Sequence, residues 1–235
     1  MRAIALSELT QFFRNRLVAA TAVLVPVFFA VVLIVTRENF GGSPIVAALV
    51  TIVIPAMGMY ITATTTLASR RQTLFLKRLR STATSDAGII AGLLTPLVVI
   101  NVVQLTVILT VLALIDQTPA NVVGLVLCVV TIEALFLGLA VATSGFTNSP
   151  DHAQVTSLPI FIITVGVAMW IAFTGTEDLL MVKRLIPGGA LTELTIESWN
   201  GIEPASMLAL LLPTLAWVFV AFVVASQLFR WEPRR

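Results

Sequence analysis

The chain has 235 residues, of which 58% are hydrophobic and only 11% are charged, with a net charge of +2. Soluble domains carry about 25% charged residues, so fourteen bases and twelve acids are too few to cover a soluble fold of this length. The composition excludes a soluble enzyme domain, a disordered tail and a collagen-like fibre. Because a membrane-spanning helix needs about 20 apolar residues, the apolar content predicts about six spans.

Six apolar runs follow one another along the chain, and each is long enough to cross a bilayer as a helix. None alternates apolar and polar residues with a period of two, as the strands of a membrane β-barrel would, so helices are predicted. We therefore predict an all-α membrane protein that forms one domain over residues 1–235. Its six transmembrane helices are predicted at about 17–36, 44–68, 87–115, 121–144, 155–174 and 206–229.

Lys and Arg are distributed unevenly between the loops, and this asymmetry predicts the orientation of the chain in the membrane. With six spans both termini share one side, and that side carries eleven of the fourteen bases, including Arg234 and Arg235. Because cytoplasmic loops retain Lys and Arg, we predict a multi-pass plasma (inner) membrane protein of bacterial type with both termini in the cytoplasm.

The stretch before the first span, residues 1–16, has apolar side chains at helical spacing. Leu6, Leu9, Phe13 and Leu17 fall on one stripe, while polar side chains occupy the other faces. This pattern predicts an amphipathic helix on the inner surface of the membrane, in contact with lipid. The alternative is a basic flank that only sets the topology.

The segment between the second and third spans, residues 69–86, is polar and strongly basic. It interleaves leucines with bases, namely Leu74, Leu76 and Leu79 with Arg71, Lys77, Arg78 and Arg80. A short helix with an apolar and a basic face would lie on lipid or dock into a groove of a soluble partner. The alternative is an ordinary positively charged cytoplasmic loop.

The external loop, residues 175–205, contains an apolar, glycine-bearing stretch at 185–189 that is followed by three more apolar residues. This composition predicts a short interfacial or re-entrant helix rather than a folded external domain. Trp199 is expected at the level of the lipid headgroups, where membrane tryptophans are enriched.

The sequence contains no motif for chemistry of its own. Neither lysine follows the glycines of a phosphate-binding loop, a single histidine cannot form a His-x-x-x-His zinc site, and a single cysteine excludes a disulfide within the chain. The one basic cluster is too small for a nucleic-acid-binding face. We predict no catalytic, cofactor-binding or metal-binding residue, no nucleic-acid partner and no enzyme activity of this chain by itself.

One acid, Glu133, lies well inside a predicted span, where charges are costly and tend to mark function. Asn101 and Gln104 are three residues apart on the third span and share a helix face. The three side chains are candidates for a substrate pathway or an inter-helix polar cluster. Glu133 could bind a proton, line a path, or act as a neutral carboxyl in a structural clamp.

The order of these features resembles the membrane subunits, or permeases, of the type-2 ATP-binding-cassette (ABC) transporter family. The stretch ALSELTQFFRNRLVAATAVLVPVFF is similar to that family's interfacial helix and first span, with Glu8, Arg14 and Pro26 in matching places. The stretch RLIPGGALTEL resembles the segment before the family's last span, with Pro187 in the expected place.

The basic loop RRQTLFLKRLRSTATSDAGIIAGLL resembles the family's cytoplasmic stretch after the second span. The matching residues are Thr73, Leu74, Leu79, Arg80 and Thr82. Two departures stand out, because Ala83 replaces a usual proline and Arg70-Arg71 replace a frequent acid.

The resemblance implies a transport complex. Two permease copies, identical or different, would form the pathway above two copies of an ABC ATP-binding subunit, which binds ATP and Mg. The permease itself would carry no cofactor. The resemblance assigns ATPase coupling to a coupling helix with Arg70, Arg71, Leu74, Lys77, Arg78, Leu79 and Arg80. It assigns the interfacial helix, with Glu8, Phe13 and Arg14, a second contact to the ATPase.

Such permeases usually export, so the resemblance implies an ATP-driven exporter. The short external loop and the apolar spans lead us to expect hydrophobic or amphipathic compounds, drug-like or lipid-like, taken from the cytoplasm or inner leaflet. The alternatives are an ion-coupled secondary transporter that uses Glu133, a membrane-embedded enzyme, and an assembly subunit without a substrate.

Overall fold

The structure is a computed structural model that describes residues 2–82 and 84–231, apart from the side chains of residues 2, 3, 17, 18 and 21. Four parts of the predictions above lie outside this description, namely Ala83, Arg234, Arg235 and the side chain of Leu17 in the apolar stripe. Within the described ranges 84% of the chain is helical and no strand is present, so the predicted helical fold class is confirmed.

The helices follow the predicted order. In the first third they are α1 (Arg2–Arg14), α2 (Arg16–Ala19), a π-helical turn (Ala20–Leu24), α3 (Val25–Val35), a 3-10 turn (Arg37–Phe40), α4 (Ser43–Ile54), a second π-helical stretch (Pro55–Ile61) and α5 (Thr62–Gln72). Then come α6 (Phe75–Arg80), α7 (Asp86–Ile115), α8 (Val122–Ser144), α9 (Pro150–Thr174), α10 (Leu180–Leu185), α11 (Gly189–Asn200) and α12 (Pro204–Leu228).

Five of these helical stretches are long and apolar enough to cross a membrane. They are Ser43–Gln72, which joins α4, the second π-helical stretch and α5, and the single helices α7, α8, α9 and α12. Ala22–Val35 is a shorter apolar helix. The structure therefore supports a helical membrane protein with five candidate spans among the described residues, and the sixth span stays a prediction.

Capping residues explain where the long helices begin. The side chains of Ser85, Asn121 and Ser149 each accept a hydrogen bond from the backbone N–H three residues ahead, at the starts of α7, α8 and α9. At α9 the cap is followed by Pro150 in the first turn, where proline is favoured. These signals start α9 five residues before the predicted apolar boundary at 155.

The two π-helical stretches lie close together where prolines interrupt the regular hydrogen-bond ladder. Pro55 opens the second stretch, and Pro26 follows the first by two residues. Gly58 lies at the contact, because a Cβ there would stand 3.2 Å from the carbonyl oxygen of Ala22 and would overlap the Asn101 amide. The first and second helical stretches thus approach nearly backbone to backbone.

Helix α11 is the longer of the two helices in the predicted external loop. It packs against α4, α8 and α12 inside the bundle, and the Trp199 side chain is completely buried. Trp199 therefore does not face lipid, and its depth at the headgroup level stays a prediction. The backbone N–H groups of Ala120 and Asn121 donate to the carbonyls of Trp199 and Ser198, which ties α11 to the start of α8.

Candidate functional site

Helix α6, the predicted coupling helix, is a short helix directly after α5. Leu74, at a positive φ of 57°, separates the two helices and turns the chain sharply. Leu76 is fully buried and Leu79 half-buried, so these two leucines anchor α6 to the rest of the fold. Two of the three predicted leucines thus lie on the inner side of α6, and its role as an amphipathic coupling helix stays a prediction.

The outer face of α6 is basic. Lys77, Arg78 and Arg80 are exposed, and Leu74 is 47% exposed beside them. Arg78 donates to the carbonyl of Thr73 at 2.9 Å. Arg80 lies 3.4 Å from Asp86, in an exposed ion pair that contributes little to stability, and its guanidinium stacks over the ring of Trp231.

The two arginines before α6 are engaged inside the chain. The guanidinium of Arg70 donates to Glu8 at 2.7 Å and to Gln11, and it also stacks over the ring of Phe75. Arg71 is buried and donates to the carbonyls of Gly145 and Thr147 in the turn between α8 and α9. Both side chains hold elements of the fold together.

Helix α1 has two distinct faces. Glu8 and Phe12 are buried on the side that packs against α7, whereas Leu6 and Phe13 are 66% and 60% exposed on the opposite side. Arg14 is exposed at the end of the helix. Both exposed apolar side chains belong to the predicted stripe, whereas Leu9 of the same stripe is half-buried. Contact of the stripe with a membrane surface stays a prediction.

Asn101 and Gln104 share a face of α7, as their spacing predicted, and both reach into the region of the π-helical stretches. The Asn101 amide donates to the carbonyl of Ile54 at 3.3 Å, and the Gln104 amide donates to the carbonyl of Val23 at 3.4 Å. They satisfy backbone carbonyls next to irregular helix turns, which is how membrane helices tolerate such interruptions.

Glu133 is 5% exposed on α8. Neither of its carboxylate oxygens has a hydrogen-bond partner among the described residues, so no hydrogen bond joins Glu133 to Asn101 or Gln104 there. It shares a face of α8 with Phe136, three residues on, whose ring packs against Tyr60 of the second π-helical stretch at 5.6 Å. Glu133 therefore lies on a helix that packs against the second π-helical stretch.

Sequence reasoning missed an ion pair at the opposite end of the bundle. Arg184 of α10 donates two hydrogen bonds of 2.7 Å to Glu193 of α11, which is largely buried. These hydrogen bonds raise the pKa of Arg184 above its ordinary value. Lys183 is buried beside it and donates to Thr174 and to the carbonyl of Gly175. The nine-residue spacing of Arg184 and Glu193 matches no helical repeat, so no periodic signal marked the pair.

Sequence reasoning also missed a large groove between α1, α5 and α7. It encloses about 1130 Å³ and reaches from the charged end of α1 to the second π-helical stretch. Its outer part is polar and charged, with Glu8, Gln11, Arg14, Arg16, Ser69 and Arg70. Its inner part is apolar, with Val25, Met57, Ile61, Leu93, Pro96 and Leu97. No pattern in the sequence joins these distant segments.

The chain was compared with models of known protein families and with curated proteins. No family model matches it, and no curated protein matches it either.

Proposed function

We propose that this chain is the membrane subunit of an ATP-driven exporter of the type-2 ABC kind, powered by a separate ATPase subunit and paired with a second permease copy. The observation that carries the proposal is α6, a short helix anchored by Leu76 whose outer face offers Leu74, Lys77, Arg78 and Arg80 to a partner. A soluble subunit with an acidic, leucine-accepting cleft fits this surface by charge and shape.

The contacts around α6 support a mechanical role. Helix α6 continues from α5, which is the end of a long, largely buried membrane helix. Arg70 links the same region to α1 through Glu8, and Arg71 links it to the turn between α8 and α9. A push on α6 would therefore move three parts of the bundle together.

The arrangement of the loops supports six spans. Glu8 contacts Arg70 at one end of the bundle. At the other end, which is only predicted to be external, Asp116 contacts Ser43 and Arg37. The helical stretch that runs from Arg16 to Val35 connects these two ends. At about 1.5 Å per residue, 20 helical residues reach about 30 Å, which is enough to cross the hydrocarbon core.

Co-purification tests the proposal. When the chain is expressed with its genomic neighbours, we expect a soluble ATPase to travel with it, and the complex to hydrolyse ATP faster than the ATPase alone. Charge reversal in R78E/R80E should abolish both effects, whereas R78K/R80K should keep them because it retains the charges. R230E removes a base that is exposed outside α6 and should leave both effects intact.

Two outcomes contradict the proposal. One is that no ATPase associates, and the other is that R78E/R80E behaves as the unaltered chain does. A second candidate, ion-coupled transport, is favoured by the buried carboxylate of Glu133, which has no hydrogen-bond partner among the residues that the structure describes. Substrate movement driven by an ion gradient without any ATPase, and lost in Glu133→Gln, would establish that candidate instead.

A further inference from the structure

The groove between α1, α5 and α7 changes from charged to apolar along its length. Arg14, Arg16 and Arg70 lie at its outer end, on the side where positive charge predicts the cytoplasm. Thr62, Thr65 and Thr66 line the middle, and Met57, Leu93 and Leu97 line the inner end. An occupant that matches this gradient has a polar head at one end and an apolar tail at the other.

The charge at the outer end is positive once internal pairs are taken into account. Arg70 is balanced by its 2.7 Å ion pair with Glu8, and Glu8 is the only acid among the described residues that line the groove. Arg14 and Arg16 are exposed and have no acid beside them among those lining residues. Two arginines are thus left to bind a negative group, which they do well because each offers several N–H donors.

The size of the groove suits a lipid. Its volume of about 1130 Å³ exceeds the ~300–1,000 Å³ that is typical of sites for drug-sized molecules. Its apolar end is lined by α3, a short apolar helix, and by α7 and the second π-helical stretch, which belong to candidate membrane spans. An acyl chain from the inner leaflet would enter there without meeting water.

We infer that this groove binds an anionic lipid of the inner leaflet, with the headgroup on Arg14 and Arg16 and the acyl chains between α3, α7 and the second π-helical stretch. The inference rests on the proposed function in one respect, because it narrows the exported class to anionic amphiphiles. The binding itself needs neither ATP nor an ATPase.

Native mass spectrometry of the purified chain tests the inference. The chain is incubated with equal amounts of phosphatidylglycerol and phosphatidylcholine of identical acyl chains, and the retained lipids are counted. We expect a preference for phosphatidylglycerol that falls about fivefold in R14Q or R16Q, and about 25-fold in the double variant, since a basic residue near an anionic headgroup contributes about 1 kcal/mol. R14K/R16K should keep most of the preference.

Matched variants separate the groove from general charge attraction. R230Q removes one exposed arginine that does not line the groove and should keep the full preference. Thr66→Trp fills the groove and should lower retention of both lipids, whereas Thr110→Trp, on an exposed face of α7 away from the groove, should not. The two tryptophan variants test the groove even if a charge substitution alters the insertion of the chain into the membrane.

The inference is overturned if the unaltered chain retains both lipids equally. It is also overturned if the R14Q/R16Q variant keeps the preference for phosphatidylglycerol, or if Thr66→Trp retains both lipids as well as the unaltered chain does. A loss of preference in R230Q as large as that in R14Q would overturn it too. The assay contains no ATPase, so its failure refutes the lipid groove alone. Absence of a partner ATPase would refute the proposed function and leave the groove standing.

Discussion

Gly58 is a residue where the packing of this fold leaves no room for a side chain. It belongs to the second π-helical stretch and lies between the carbonyl of Ala22 and the amide of Asn101. That amide donates to the carbonyl of Ile54, so it cannot swing away without losing a buried hydrogen bond. The close approach of the first and second helical stretches depends on the absence of a side chain at this position.

We expect Gly58→Ala to destabilise the chain by about 1–3 kcal/mol, the usual cost of adding a methyl group to a packed core. Thermal unfolding of the purified protein in one detergent measures this loss of stability as a lower midpoint temperature. Gly166→Ala is the matched control, because a Cβ there meets nothing within 4 Å. It should leave the midpoint unchanged or slightly raised. Equal midpoints for the two variants would refute the close contact.

The same region shows what residue patterns can predict. The shared face of Asn101 and Gln104 follows from their three-residue spacing and is found in α7. Their hydrogen-bond partners do not follow from the sequence, because they are backbone carbonyls of Ile54 and Val23 beside π-helical turns. Proline in a span indicates an interrupted ladder, but it does not indicate which distant side chain satisfies the freed carbonyl.

At the scale of elements, α1 and α5 are joined by one ion pair that is mostly shielded from water. The Glu8 side chain is 7% exposed and the Arg70 side chain 23%, with 2.7 Å between the charged atoms. Replacing one partner by a neutral side chain leaves the other charge poorly hydrated. The loss of stability is therefore larger than for an exposed ion pair. The pair therefore fixes α1 against the end of the second membrane helix.

A double-mutant cycle tests this link. We expect Glu8→Gln and Arg70→Gln each to lower the free energy of unfolding, and the double variant to lose less than the sum of the two. The coupling should be about 0.5–3 kcal/mol, as for other side chains in direct contact. The exposed pair of Arg80 and Asp86 gives the control cycle and should show a coupling of at most about 1 kcal/mol. Strict additivity for Glu8 and Arg70 would show that α1 is not held by this pair.

Element boundaries were predictable wherever composition and capping agree. The predicted runs at 87–115 and 121–144 differ by one residue from α7 and α8. The helix that ends at Gln72 continues four residues beyond the predicted run, because Ser69, Arg70 and Arg71 extend the helix without being apolar. The packing of α11 was not predictable, since a 12-residue helix that mixes apolar and polar side chains fits an interfacial position as well as a buried one.

At the scale of the whole molecule, the contacts divide the loops into two sets. The chain before α2, the segment around α6 and the turn between α8 and α9 meet through Arg70 and Arg71. The 3-10 turn, the start of α4 and the end of α7 meet through Arg37, Ser43 and Asp116. Each set lies at one end of the bundle, as alternating membrane spans require. Which end faces the cytoplasm is predicted by the excess of Lys and Arg.

Cysteine labelling in intact cells tests both the orientation and the sixth span. The native Cys128 is completely buried, so the unaltered chain should not react with a membrane-impermeant maleimide. Four single substitutions at exposed positions report on the two ends, namely Ser7→Cys, Ser81→Cys, Asn39→Cys and Gln117→Cys. We expect Asn39→Cys and Gln117→Cys to react from outside, and the other two only after the membrane is opened.

The pair Ser7→Cys and Asn39→Cys decides the count of spans. Opposite accessibility means that the helical stretch from Arg16 to Val35 crosses the membrane and that six spans are present. Equal accessibility would leave five spans, with α3 lying at the surface. It would also place the two termini on opposite sides of the membrane. The Arg14 and Arg16 end of the groove and the basic face of α6 should both be reached from the cytoplasm. Labelling of Ser81→Cys from outside would remove α6 from the reach of any cytoplasmic ATPase.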